Sequence, residues 1–248
     1  MRPSQGIDKS AEAASVKPGD RVLDVGCGTG VLSREVADRA GSDGRVFGLD
    51  VNEDMLALTP RICPDIDWLQ GDAGELPFDD TSFDAVVSQF ALMFVPDQMA
   101  ALQEMWRVLA SGGRLAVTVW WQSPGYPVLA EIARERIGED VATALMDSFS
   151  LGDGAKLLKL FRSAGIETAK LNSHESYGRF PSVDEFVRIE IKGWVDGQLE
   201  DGMAENDYNT MLANTRERLG QFCKDDGEAL IQIDAHIVTA ERNRSAKG

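Results

Sequence analysis

A short apolar run, Val22-Leu23-Asp24-Val25, delivers three glycines, Gly26, Gly28 and Gly30, to a segment with helical spacing that begins at Val31. Glycine at such a turn has a chemical meaning: without a Cβ the backbone takes positive φ easily, and a ligand can approach the N–H groups at a helix start. Asp50 ends a second apolar run 22 positions after Gly28, close to the roughly 20-residue spacing at which a carboxylate reaches the hydroxyls of a ribose. Asp72, followed by Ala73, closes a third run, where a carboxylate and a backbone N–H can meet the amine and a ring nitrogen of adenine. Taken singly, each feature reads plainly as a tight strand-to-helix turn or a capping aspartate. Their succession on consecutive strands points to a nucleotide-bearing cofactor.

The elements that position these residues follow from periodicity. Strands at Arg21–Val25, Arg45–Asp50, 67–71, 83–88 and 114–119 alternate with helical patterns at Val31–Ala40, 53–61 and 97–109. Such alternation predicts an α/β fold with a doubly wound, mostly parallel sheet, because each crossover returns a helix over one face. After Trp120 the rhythm changes. A partly helical insertion over 121–150, a crossover helix near 153–164, a sixth strand across 167–177, a mostly helical stretch over 181–226 and a closing strand at 230–239 are expected. The chain therefore divides into a cofactor-binding core (1–120), a cap insertion (121–150), a continuation of the core (151–180), a helical lid (181–226) and a closing strand with its tail (227–248).

Two common nucleotide sites are excluded by spacing. A dinucleotide turn wants glycine or alanine where Val31 stands, and no Gly-Lys-Ser/Thr follows the glycines as a phosphate loop requires. The motifs Val22 to Gly30, Gly48-Leu49-Asp50 with Met55-Leu56, Gly71-Asp72-Ala73 through Leu76-Pro77-Phe78, Phe83-Asp84-Ala85-Val86, and Glu104 to Leu109 before Gly112-Gly113 resemble the class I S-adenosylmethionine-dependent methyltransferases. The likeness is to the branch containing ubiquinone and menaquinone biosynthesis enzymes, and it covers residues 18 to 120. It implies a seven-stranded sheet of order 3-2-1-4-5-7-6 with the last strand antiparallel, and S-adenosyl-L-methionine as cofactor. It also implies that Gly26, Gly28 and Gly30 approach the methionine part, Asp50 holds the ribose, Met55 packs on adenine, and Asp72 with Ala73 reads the adenine edge. Gln89 and Phe90 would border the methionine and the substrate, with Asp24, Cys27 and Val51 completing the cofactor contacts.

Methyl transfer is an in-line displacement that needs alignment and exclusion of water, and a base only where the nucleophile arrives protonated. His174 is the sole weak candidate for that base; His236, late on the closing strand, is worse placed. Trp120, Trp121, Tyr126, Phe149 and Trp194 suit an apolar substrate pocket, although each also reads as ordinary packing. Only about twenty residues precede the first strand, so the cap is expected from 121–150 and 181–226.

The net charge of −16, acidic in both halves, provides no basic face for nucleic acid. Neither a signal peptide nor a membrane span is recognisable, so a cytoplasmic protein is expected, with a small-molecule partner and a homodimer as an open possibility. Cys27, Cys63 and Cys223 are too scattered for a disulfide framework or a zinc site, and no metal is expected. The leading expectation is methylation of O, C or N of a small hydrophobic or aromatic molecule. A cyclisation or decarboxylation using the same cofactor, or an inactive cofactor-binding protein, are the alternatives.

Overall fold

The computed structural model describes residues 5–57, 59–195, 205–224 and 226–243. In its first part, helix α1 (Gln5–Ala13) precedes β1 (Arg21–Val25), α2 (Val31–Ala40), β2 (Arg45–Asp50), α3 (Glu53–Leu56), α4 (Thr59–Ile62), β3 (Asp67–Gln70), β4 (Phe83–Gln89), α5 (Gln98–Val108) and β5 (Leu109–Gln122). Then come α6 (Gly125–Arg136), α7 (Glu139–Asp147), α8 (Gly154–Ser163), β6 (Lys170–His174), β7 (Tyr177–Phe180), α9 (Val183–Val195), α10 (Glu205–Leu219), β8 (Ala229–Gln232) and β9 (Asp234–Glu241).

Seven strands form one sheet in the order β3-β2-β1-β4-β5-β9-β6, while β7 and β8 form a separate pair. Strands β1 to β5 run parallel, and β9 is antiparallel to β6 with Lys170 opposite Thr239. The Gly112 N–H donates to the Arg242 carbonyl and the Arg242 N–H to the Gly113 carbonyl across the β5–β9 seam, where the pairing is also antiparallel. This is the order implied by the family resemblance once β7 and β8 are set aside.

Alternation along the strands separates two cores. Leu23, Val25, Phe83, Val86, Leu115 and Val117 point to one face, against Leu102 and Met105 of α5 and Leu157 and Phe161 of α8. Val22, Val46, Ala85, Val87 and Ala116 point to the other, against Leu32 and Val36 of α2 and Ala11 of α1. Each fully buried Leu or Phe stabilises by about 1.5–3 kcal/mol, so the doubly wound arrangement follows from having apolar side chains on both sheet faces. Arg107 clamps the segment before β4, donating to Glu104, Asp80 and the carbonyls of Leu76 and Phe78. That network holds the Glu104 carboxyl below its usual range.

Several expectations need correction. The single helix expected over 53–61 is two short ones, since Pro60 lacks an N–H to continue it; the Thr59 hydroxyl donates to the Leu56 carbonyl at 2.8 Å instead. The fifth strand starts at Leu109 rather than 114, because the Gly112–Gly113 backbone pairs with Arg242 instead of turning away. The sixth and closing strands each split in two, at Glu175–Ser176 and at Ile233. The buried Asp234 carboxylate accepts from the Ser176 N–H and from the side chains of Gln122 and Gln232, which fixes β7 and β8 as their own antiparallel pair. Helix α1 lies outside the elements expected from periodicity; its Ala11 is buried in the second core.

The chain forms two compact units, Met1–Trp120 with Leu151–His174 and Ala235–Gly248, and Trp121–Ser150 with Glu175–Asp234. The first contains the seven-stranded sheet; the second holds α6, α7, α9, α10 and the β7–β8 pair. Among the described residues no helix is long and apolar enough to cross a membrane, and no cluster of side chains could hold a metal ion. All three cysteines are free thiols.

Candidate active site

Strand β1 ends at Val25, and the chain turns through Gly26, Gly28 and Gly30 at φ of 71°, 53° and 74°. The N–H groups of Gly26 and Cys27 both donate to the Leu49 carbonyl, at 2.8 and 3.0 Å, tying the turn to β2. The three glycines answer different demands. A Cβ on Gly26 would lie 2.3 Å from the Ala91 Cβ, and one on Gly30 would lie 2.3 Å from the Trp68 ring, whereas one on Gly28 would meet nothing within 4 Å. Gly26 and Gly30 are therefore required by packing as well as by backbone conformation, and Gly28 alone presents an open backbone face.

Asp50 closes β2 with its carboxylate fixed by two backbone donors, Gly28 N–H at 2.7 Å and Asn52 N–H at 2.9 Å. Carboxylates have about four lone-pair sites, so two remain for other donors such as hydroxyls. Asn52 caps α3 through bonds from Asp54 and Met55, and that short helix leaves Val51 and Met55 69% and 45% exposed beside Asp50. Two large apolar side chains held in solvent next to a fixed carboxylate suit a flat, hydroxyl-bearing ligand. Asp72 follows β3, accepting from Gly74 N–H at 2.8 Å, and Ala73 packs against the core beside it.

Asp24, inside β1, is buried and accepts from the Ser33 hydroxyl at 2.6 Å, while its Oδ1 has no partner. Burial pushes its carboxyl up to about 7, with the Asp50 charge adding to the rise and Ser33 opposing it. Burial, with the Asp24 and Asp50 charges, also drives the Cys27 thiol upward, which makes it a poor nucleophile.

At the end of β4, Phe90 has φ of +54°, a conformation costing a bulky residue about 1–3 kcal/mol. Its N–H donates to the Thr118 carbonyl at 2.8 Å, and its ring lies flat on Trp120, centroids 3.5 Å apart. Gln89 donates to the Ser10 hydroxyl at 2.8 Å, which is 2.8 Å from that of Thr118. Helix α1 thus reaches the same strand ends as the glycine turn. A cavity of about 810 Å³ lined by Lys17, Arg114 and Lys170 lies instead at the opposite ends of β5 and β6, away from these groups.

A methyltransferase domain model matches residues 22–113. The chain is 34% identical over 175 residues to a demethylmenaquinone methyltransferase of Staphylococcus haemolyticus, covering 64% of this chain and 73% of the relative. It is also 42% identical over 112 residues to a chloroplastic 2-phytyl-1,4-beta-naphthoquinone methyltransferase of Arabidopsis thaliana, covering 42% of this chain and 43% of the relative. The chain belongs to the class I S-adenosylmethionine-dependent methyltransferases. In some of these methyltransferase relatives less than half the length is matched. The [4+2]-cyclase SpnF shares the methyltransferase fold, with a TM-score of 0.61 at 22% identity over 97% of this chain and 81% of that one.

Within this methyltransferase fold, Asp24, Gly26, Cys27, Gly28, Gly30 and Asp50 gather at the ends of β1 and β2, with Val51 and Met55 just beyond. Asp72 and Ala73 follow β3, and Gln89 and Phe90 stand at the end of β4. His174 is on the edge strand, three strand spacings or about 14 Å from β4. Its Nδ1 is 3.5 Å from the Lys9 ammonium, and burial together with that cation holds its pKa below the usual histidine value. His236 is buried and occupied on both nitrogens, by the Ser173 hydroxyl and the Gly152 carbonyl. Trp120 joins the Phe90 stack, Tyr126 and Phe149 pack edge to face in the second unit, and the Trp194 side chain lies outside the described residues. Ser10, Trp68 and Thr118 were missed in the sequence; nothing but tertiary contact marks them.

Proposed function

We propose that the protein transfers a methyl group from S-adenosyl-L-methionine to O, C or N of a small hydrophobic or aromatic molecule in the cytoplasm. The class favoured by the relatives is an acceptor with a naphthoquinone-like ring system. The observation that carries this reading is the Gly28–Asp50 pairing beside an open backbone face, on a chain related to methyltransferases.

The donor set fits the cofactor. Asp50 would take the ribose hydroxyls, Val51 and Met55 would flank the adenine, and Asp72 with Ala73 would meet its edge. Gly26, Cys27, Gly28 and Gly30 would line the methionine part, with the unpartnered Asp24 Oδ1 as the available acceptor for a cationic donor. Bound there, S-adenosylmethionine supplies an electrophilic methyl on a sulfonium. Gln89, tethered to Ser10, and Phe90, pinned on Trp120, would border the transferring group, where a rigid apolar wall excludes water. His174 keeps a neutral imidazole near neutral pH, but its edge position leaves the base role unassigned.

Titration calorimetry with S-adenosylmethionine and S-adenosylhomocysteine tests the cofactor, and mass spectrometry after incubation with reduced 1,4-naphthoquinone tests the transfer. Micromolar binding of both and a product heavier by one methyl are expected. Binding of neither ligand would overturn the reading.

A further inference from the structure

The cavity of about 810 Å³ at the N-terminal ends of β5 and β6 belongs wholly to the first unit, away from the glycine turn and the strand-end aspartates. Three cations line it: Lys17 from the segment before β1, Arg114 on β5 and Lys170 at the start of β6. Glu241 is the single acidic side chain among its lining residues. The chain as a whole has 41 acidic against 25 basic residues, so a concave surface with three cations to one carboxylate runs against its composition. Like charges gathered in a concavity raise the local potential and draw in ions of the opposite sign.

The cations are held in different ways. Arg114 is anchored: its Nη2 donates to Asp20 Oδ2, and the two side chains are only 16% and 12% exposed. The same Asp20 oxygen accepts from the Lys17 N–H at 2.7 Å, so one carboxylate fixes both the guanidinium and the turn that carries Lys17. That ion pair leaves the guanidinium underused, since Arg114 Nε is buried with no partner and Nη1 has none among the described residues. The ammonium groups of Lys17 and Lys170 likewise have no carboxylate partner among the described residues. Lys170 stands opposite Thr239 in the β6–β9 register, which places a hydroxyl-bearing residue beside it on the same face. The Thr168 hydroxyl, by contrast, is spent on the Glu241 carbonyl at 2.8 Å.

This donor arrangement selects the anion. A planar carboxylate gains most from two parallel N–H groups of one guanidinium, and here Nη2 is taken by Asp20 and Nε is buried, which leaves Nη1 as a single donor. A tetrahedral phosphate takes single donors from several directions, and three cations on three separate segments supply them. The volume lies within the roughly 300–1,000 Å³ of small-molecule sites, so there is room for an organic group attached to the phosphate. We propose that this cavity binds a small phosphate monoester, its phosphate held by Lys17, Arg114 and Lys170, at a site separate from that of the methyl donor.

Titration calorimetry of the full chain with glycerol 3-phosphate tests this, with glycerol as the uncharged control, at low ionic strength and with S-adenosylhomocysteine present to occupy the cofactor site. Glycerol 3-phosphate should bind with a millimolar or tighter dissociation constant, and glycerol should give no heat. Replacing both exposed lysines, Lys17→Gln with Lys170→Gln, should weaken glycerol 3-phosphate about tenfold or more, as for the loss of charge-assisted hydrogen bonds. Lys156→Gln removes the same kind of charge from a residue outside the cavity and should leave the affinity unchanged. The lysine variants keep the Arg114–Asp20 pair intact, and unchanged thermal melting would confirm that a loss of binding is not a loss of fold. No heat from glycerol 3-phosphate, equal binding of glycerol, or a loss in the double variant no larger than in Lys156→Gln would overturn the proposal. Displacement of S-adenosylhomocysteine by glycerol 3-phosphate would overturn it too, by putting the anion in the cofactor site. So would sedimentation of the chain with phosphatidylglycerol vesicles in the absence of glycerol 3-phosphate binding, which would make this basic edge a membrane contact. Repeating the titration without S-adenosylhomocysteine keeps its outcome apart from that of the methyltransferase reading.

Discussion

The two units hold their polar groups in different ways. At the glycine turn of the first, main-chain N–H groups do the holding: Gly26 and Cys27 on the Leu49 carbonyl, Gly28 and Asn52 on the Asp50 carboxylate. In the second, carboxyls are held mainly by side chains, Glu190 by Tyr126, and Asp234 by Gln122 and Gln232 together with the Ser176 N–H. The methyltransferase model matches residues 22–113, entirely within the first unit. A site built from backbone is specified by a few glycines and a strand-end aspartate, and recurs wherever that spacing recurs. A site built from side chains is specific to its own chain.

The sharpest way to break this contrast is at the glycines. Gly26→Ala adds a Cβ clash at positive φ and should cost about 2–4 kcal/mol of stability and abolish cofactor binding, whereas Gly28→Ala, with open space around it, should cost about 1 kcal/mol. Thermal melting and S-adenosylhomocysteine calorimetry read both; equal losses would refute the steric account.

Comparable in size is a pH effect. Burial keeps the Asp24 carboxyl at about 7, above its unfolded value, so the folded protein retains a proton that the unfolded chain releases. The contribution of Asp24 to stability is then fullest below about pH 4 and is lost as pH rises through about 7, by on the order of 4 kcal/mol. The difference in urea stability between wild type and Asp24→Asn should show this slope; identical pH dependence in the two would dismiss the burial argument.

Asp50→Ala removes the acceptor for Gly28 and Asn52 and the candidate ribose ligand, and should weaken S-adenosylhomocysteine binding by about 2–3 kcal/mol. Unchanged affinity would remove Asp50 from the site. Smallest is Ser10→Ala, which loses the bridge between Gln89 and Thr118 and should cost about 1 kcal/mol in thermal stability. A change in cofactor affinity larger than the change in stability would show that α1 belongs to the first unit's site as well as to its scaffold.

Much of the first unit was legible before folding was considered. Gly26, Gly28, Gly30, Asp50 and Asp72 are local signals: each follows a strand whose alternation is visible, and their function depends on backbone that those strands place. The β7–β8 pair was not legible, since a run such as 230–239 alternates continuously and only the buried Asp234, with its distant donors, decides where it changes sheet. Glu190 left a faint mark as an acid on an apolar stripe, a pattern that has no meaning until Tyr126, 64 positions away, is seen to meet it.

By itself the sequence determined the alternation of strands and helices, the glycine turn and the order of acidic strand ends, because these rest on periods of two and 3.6 residues and on short-range backbone chemistry. The tertiary structure alone decided that Gly26 and Gly30 answer to packing while Gly28 stays open, and that Phe90 is held at positive φ against Trp120. It likewise decided that one carboxyl of α9 is half-buried beside a tyrosine. Those outcomes depend on contacts between residues far apart in the chain, and local spacing carries no record of which distant side chain arrives.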